Sequence, residues 1–201
     1  MLTPHFPMQV NAQSTEVATA LAKMHSSLRF IVQMNEPASS TDGIINARRL
    51  DAIGGGRLTM QSRAPAAVQS VKDAAVYILR LTESSSLREQ VIAELNVHLH
   101  VLRANASSTL ILALPSLPEP GTVDPDVEAT ARLWDLSRVQ LTNGCELEVS
   151  DLVELINSVQ DSRGRLVVVN KLCSRNSTTM VVGVKYEACI DGFYSVEPLL
   201  I

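Results

Sequence analysis

The sequence predicts an α/β domain on a seven-stranded, mostly parallel sheet that closes with a C-terminal antiparallel hairpin. Three observations predict it. Residues 6–36 read as strand, tight turn, helix and strand, the opening βαβ unit of a nucleotide-binding domain. Nearly unbroken apolar runs, FIV at Phe30–Val32, AAVYILRL at Ala74–Leu81 and TLILAL at Thr109–Leu114, suit parallel strands buried on both faces. The final runs, Arg165–Val169 and Thr178–Tyr186, flank a polar turn at Asn176 and Ser177, which predicts an antiparallel pair.

Each element has its own signal. Met8–Val10 is the first strand, followed by the polar turn Asn11-Ala12-Gln13. Ser14 is a helix cap by residue type, and Glu16 puts negative charge where the helix dipole favours it. Val17, Leu21, Met24 and Leu28 mark one helical face, and Leu28–Met34 is the second strand. Residues 37–56 form a polar connection in which Ile44, Ile45 and Leu50 fit a short helix. Gly54-Gly55-Gly56 follows no strand and opens no helix, so it reads as a loop and not a phosphate cradle. Arg57–Gln61 is a short strand near an edge. Leu87, Val91, Leu95 and Leu99, four apart, define a helix to Ala104. His98 and His100 lie two apart on it, on different faces, which does not fit a metal pair and makes them ordinary helix residues. Pro115–Pro125 is a rigid proline-rich loop. Val127–Thr142 is a helix with Ala131, Leu133, Leu136, Val139 and Leu141 among its apolar positions. Val149–Val159 is another, capped by Ser150, with Leu152, Val153, Leu155 and Ile156 inward.

Composition narrows the functional classes. A chain of 201 residues with 46% hydrophobic and 19% charged residues suits one folded domain. A net charge of −4 argues against direct nucleic-acid binding, which shows as a basic patch. No run approaches the roughly 18 apolar residues of a membrane span, and the first residues carry no signal-peptide pattern. Cys145, Cys173 and Cys189 are odd in number and lack CxxC spacing, so reduced thiols and no metal site are expected. A chain opening almost on its first strand reads as the C-terminal domain of something longer.

The ligand turn of the opening unit lacks the residues that nucleotide binding uses. Glycines normally let the backbone approach the ligand, yet none occurs between Phe6 and Thr41. An acid normally ends the second strand to hold ribose hydroxyls; Met34 stands there, and Glu36 falls two residues late.

The alternating order, with one antiparallel strand at the end, is the layout of Rossmann-like class I methyltransferases. The segments LRFIVQM, VKDAAVYILRL, LPEPGTVDP and ARLWDLSRVQLTNGCELEVSDLVELI resemble the catalytic domain of plant- and fungal-type O-methyltransferases. VNAQSTEVATALAKMHSSLRFIVQ, HVLRANASSTLILALP and DLSRVQLTNG more closely resemble the methyltransferase-like co-activators encoded beside the zinc-cluster regulator in fungal aflatoxin and sterigmatocystin clusters. Relatives of these sit in anthraquinone and other aromatic polyketide clusters.

Set against the active methyltransferases, the resemblance implies lost chemistry. Asn11, Ala12, Gln13 and Ser14 replace the glycine-rich motif, and Met34 replaces the acid of the second strand. Arg63-Ala64-Pro65 stands where an acid approaches adenine, and Thr82-Glu83-Ser84 where the general-base histidine lies. Glu146 matches the glutamate that steadies that histidine, and reads equally as a vestigial site residue or a solvated loop acid. Glu83 is a lone loop acid and a poor substitute base. The resemblance thus implies a non-catalytic co-activator that has lost S-adenosylmethionine binding. It would engage a zinc-cluster transcription factor in nucleus and cytoplasm, without contacting nucleic acid or membrane. The winged-helix dimerisation domain of both families has no counterpart in residues 1–201, which predicts a monomer or weak oligomer. The alternative is a cyclase, auxiliary enzyme or residual S-adenosylmethionine-dependent O-methyltransferase acting on a polyketide intermediate. For partner contact, the sequence offers the proline-rich loop and the helix beyond it near Arg132, Asp135 and Arg138.

Overall fold

The computed structural model describes residues 5–10, 15–34, 56–64, 66–81, 87–142 and 144–189, with backbone alone for 5–10, 15–16, 34 and 142. The elements run β1 His5–Val10, α1 Thr15–Met24, β2 Arg29–Met34, β3 Leu58–Ser62, β4 Val76–Arg80, α2 Leu87–Ala104, β5 Thr109–Pro115, α3 Pro125–Thr142, α4 Val149–Ser158, β6 Gln160–Asp161, β7 Gly164–Cys173 and β8 Thr179–Ala188. They build one sheet of order β3-β2-β1-β4-β5-β8-β7-β6. The first five strands in that order are parallel; β8 enters antiparallel to both β5 and β7. The turn at Asn176 and Ser177 therefore joins an antiparallel pair, as its residues predict. Among the described residues the sheet has eight strands and not seven, because the two-residue β6 adds an outer edge.

Alternation along the strands sorts side chains onto two faces. Tyr77 and Leu79 of β4, Leu110, Leu112 and Leu114 of β5, and Met180, Val182 and Val184 of β8 are buried in one cluster. Leu95 and Leu102 of α2 and Leu152 and Ile156 of α4 join it. Phe30 and Val32 of β2 point the other way and meet Ala18 and Ala22 of α1 with Leu58 of β3. Each fully buried Leu or Ile removes enough apolar surface to contribute about 1.5–3 kcal/mol.

Several sequence expectations are corrected. α4 starts at Val149 after Glu148, which makes no side-chain cap bond, so Ser150 lies inside the first turn and is not the cap. β7 continues four residues past Val169, through a bulge between Val168 and Asn170 that lets the hairpin twist on. Of the apolar positions named for α3, Leu133, Leu136, Val139 and Leu141 are exposed, and Ala131 is the buried one.

The outer edge is held by one carboxylate. Asp161 Oδ1 accepts from Arg163 N at 2.8 Å and Gly164 N at 3.0 Å, closing the tight turn from β6 to β7. Tyr186 Oη donates to the same oxygen at 2.9 Å, and Arg103 Nη1 to Oδ2 at 2.7 Å. The Arg163 amide first, then Tyr186 and Arg103, lower the Asp161 pKa to about 2 from the ordinary 3.8. A depressed carboxylate stabilises the fold above its unfolded value and loses that contribution as pH falls through the folded one. Asp161→Asn is therefore expected to lower the urea midpoint at pH 7, and the gap to the parent protein should close between pH 4 and pH 2. An undiminished gap at low pH would contradict the assignment.

Candidate functional site

In open α/β sheets, ligands bind outside the carboxyl ends of the strands, where the strand order reverses. Here that point lies between β1 and β4. Asn11, Ala12, Gln13 and Ser14, and Thr82, Glu83 and Ser84, lie outside the described residues. Met34 ends β2, paired in register with Ser62 of β3.

Beside this edge lies a buried polar network. Residues 63–75, from β3 to β4, contain no helix among those described, so their backbone groups need partners from elsewhere. Arg63 Nε and Nη2 donate to Ala67 O at 3.0 and 2.7 Å, and Nη2 also reaches Glu94 Oε2 at 2.9 Å. Glu94 Oε1 accepts from Ala66 N at 3.0 Å. Ala66 has φ 56°, a left-handed conformation that costs a side-chain-bearing residue roughly 1–2 kcal/mol, and this bond holds it there. Gln33 of β2 and Gln69 exchange two amide bonds, at 2.8 and 3.0 Å. Tyr77 Oη donates to Val71 O at 3.0 Å, and burial pushes its pKa up to about 12.

His98 completes the network as a neutral ring. Its Nδ1 lies 2.7 Å from Glu94 O, a carbonyl that can only accept, so Nδ1 carries the proton. Its Nε2 then accepts from Gln69 Nε2 at 3.3 Å. Burial lowers its pKa below the ordinary 6.5, more than the Glu94 carbonyl and carboxylate raise it. Its neutral form favours folding above that value, and the benefit falls as acid charges the ring. His98 is thus a buried hydrogen-bonding residue of the network and not an ordinary helix residue.

Arg63 therefore sits inside the protein, where the resemblance placed an acid near adenine, while the neighbouring Ala64 is exposed. Glu94 went unread and His98 was read only as an ordinary helix residue, although their spacing from Val91 and Leu95 puts them on the inward stripe of α2.

A second cluster surrounds Glu146, which is neither solvated nor idle. Its Oε1 forms a short ion pair with Arg138, and its backbone N–H donates to Asp135 Oδ1 at 2.7 Å. Arg138 and Asp135 thus fasten the α3–α4 connection and do not form a free outer surface. Arg132 is the outward one, in an i,i+4 pair with Glu128 at 3.0 Å. Glu146 Oε2 is buried without a hydrogen-bond partner. It lines a cleft of about 240 Å³ with Trp134, Thr130, Thr178, Ser116 and Leu117.

The proline-rich segment between β5 and α3 is pinned as well. Glu119-Pro120-Gly121-Thr122 turns with Gly121 at φ +78° and Thr122 N bonded to Glu119 O at 3.1 Å, as proline followed by glycine encodes. Leu117 N bonds Leu147 O and Asp124 N bonds Arg175 O, each at 2.9 Å, and Leu117, Pro118 and Val123 are buried. What α3 does present is apolar: Leu133, Trp134 and Leu141 are 65%, 67% and 84% exposed.

Comparison with known proteins follows the same division between fold and chemistry. No protein-family model matches the sequence. The chain is 52% identical over 181 residues, 88% of its length, to a transcriptional coactivator of Pseudocercospora fijiensis, covering 49% of that protein. It is 39% identical over 178 residues to the cladofulvin cluster transcriptional coactivator of Passalora fulva, covering 88% of this chain and 42% of that one. With the monodictyphenone cluster transcriptional coactivator of Emericella nidulans it shares 35% over 227 aligned residues, 90% of this chain and 47% of that one. The chain thus spans less than half the length of each of these relatives. Among solved structures, the methyltransferase CalO6 superposes with a TM-score of 0.61 at 21% identity, over 90% of this chain and 56% of that one. The mitomycin 7-O-methyltransferase MmcR superposes with a TM-score of 0.65 at 15% identity, over 92% and 49%. These two likenesses establish a methyltransferase-like fold and nothing about chemistry.

Proposed function

From the premise that the chain is a methyltransferase-like relative of transcriptional coactivators of fungal biosynthetic clusters, we propose that it acts by protein contact and not by catalysis. The observation that carries this reading is α3. A helix of 18 residues that leaves Leu133, Trp134, Leu136 and Leu141 in water has an unsatisfied apolar surface, and contiguous surface of this kind marks interaction sites. The partner proposed is the zinc-cluster transcription factor of the same aromatic polyketide cluster, which places the protein in the nucleus. The protein is a pseudoenzyme on this reading. Support comes from the absence of glycines in the first ligand turn, Met34 at the end of β2, and Arg63 turned inward on Glu94.

No saturable heat is expected when S-adenosylmethionine is titrated into the protein by calorimetry; low-micromolar affinity would sink the pseudoenzyme reading. The interaction is tested by capture of the cluster's zinc-cluster regulator with the longer parent protein. Leu133→Asp should abolish capture without lowering the melting temperature, whereas Asn11→Gly with Met34→Asp should leave it intact. Arg138→Glu does not serve as a surface probe, because it breaks the pair that holds Glu146.

A further inference from the structure

We propose that the cleft beside Trp134 is an arginine-binding pocket, and that it anchors an amphipathic helix of the partner laid along α3. The inference rests on the interaction reading above and names the chemistry of that contact. Glu146, whose Oε1 pairs with Arg138, lines a cleft about 240 Å³ in volume, and its Oε2 is buried there with no hydrogen-bond partner. A buried acceptor left unpaired is costly, and a donor arriving with the partner removes that cost. Trp134 supplies an aromatic wall on which a guanidinium plane stacks while its N–H groups reach a carboxylate.

Charge around the cleft points the same way. Residues 116–146 hold six acids, Glu119, Asp124, Asp126, Glu128, Asp135 and Glu146, against Arg132 and Arg138. Both arginines are already engaged, with Glu128 and Glu146. Arg175 stands beside Asp124 through a backbone bond and offsets one further charge. The remaining excess is negative, so a basic segment is steered in and an acidic one repelled.

The apolar pattern sets the form of the partner. Leu133, Ser137 and Leu141 recur every four residues, and Trp134 lies seven before Leu141, so these share one side of α3. That strip runs for a little over two turns, roughly 12 Å, and fits the leucine ridge of a second helix. Its small member, Ser137, sits between the two leucines and leaves room for a side chain to enter.

Trp134 is the only tryptophan of the chain, so its fluorescence reports the site directly. The probes are two synthetic helical peptides with the same leucine stripe, one carrying arginine and the other citrulline, its neutral isostere. The arginine peptide should shift Trp134 emission to the blue and saturate, with affinity about tenfold or more above that of the citrulline peptide. Glu146→Gln should remove that preference. Should this variant fold poorly, Thr130→Arg, at an exposed position on the lip, supplies a competing guanidinium and should remove it as well. Leu133→Asp should weaken both peptides, while Leu172→Asp, equally exposed but on the β7–β8 hairpin, should change neither. Equal affinity for the two peptides, or a preference that survives Glu146→Gln and Thr130→Arg, overturns the arginine pocket. A blue shift that rises with protein concentration alone would give the surface to a second copy and overturn it too. Either result leaves the co-activator reading standing if the parent still captures its regulator through Leu133. Binding of S-adenosylmethionine would remove that reading without touching the peptide result.

Discussion

Glu94→Ala is expected to cost about 3–5 kcal/mol, the penalty for leaving a buried charge without its partner. The side chains of Arg63 and Glu94 are only 4% and 7% exposed, so water cannot replace the lost carboxylate. Three consequences coincide in one change: the Arg63 guanidinium loses its counter-charge, Ala66 N–H loses its acceptor, and the left-handed backbone at Ala66 loses its restraint. For a domain of this size the melting temperature should fall by roughly 10 °C. Glu94→Gln, which can keep the bond from Ala66 N–H, should lose less. Urea melts of the two variants separate the charge from the hydrogen bond. A loss below about 1 kcal/mol for Glu94→Ala would mean that Arg63 finds water, as exposed pairs do.

Gly164→Ala is the second large effect, for a purely steric reason. An added Cβ would lie 2.2 Å from Glu187 O and 2.7 Å from both Cζ and Oη of Tyr186. The backbone carbonyl cannot swing aside as a flexible side chain would, so β7 must part from β8 where Gly164 pairs with Ala188. The expected loss is about 3 kcal/mol, at the upper end of overpacking. Moving Tyr186 also loosens its bond to Asp161. The variant should therefore show a smaller dependence of stability on acid than the parent, measured by urea midpoints at pH 7 and pH 2. Unchanged stability would show that the edge tolerates separation.

Much of the architecture was written in local patterns. FIV, VYIL and TLILAL are read correctly as central strands because a strand buried on both faces needs apolar residues at every position, with no tertiary information. The helix at Leu87–Ala104 follows from a four-residue repeat. The two-residue β6 was missed because its pairing depends on Asp161 folding back onto Arg163 and Gly164, a turn that leaves no apolar run to read.

The candidate site was legible in unequal parts. Sequence could locate Glu146 but left two readings open, and the solvated loop acid is the one that gives way, because the side chain is buried against Arg138. Whether a loop acid is solvated or paired depends on Arg138 and Asp135, eight and eleven residues earlier, returning beside it on α3. The proline-rich loop was read as a rigid loop and a candidate for partner contact because proline and glycine report local stiffness. They say nothing of the bonds that Leu117 and Asp124 make to Leu147 and Arg175.

The sequence by itself determined the order of strands and helices, the stripes that become core, and the absence of glycine and acid from the first ligand turns. Those are properties of periodicity and residue type, which act within a few residues. Tertiary structure alone decided which apolar stripe stayed uncovered. The stripes of α2 and α4 look no different in kind from that of α3, yet the first two find the sheet while α3, anchored through Ala131, Asp135 and Arg138, turns Leu133, Trp134 and Leu141 outward. Burial is a relation between elements distant in the chain, and periodicity marks a face without saying what, if anything, lies against it.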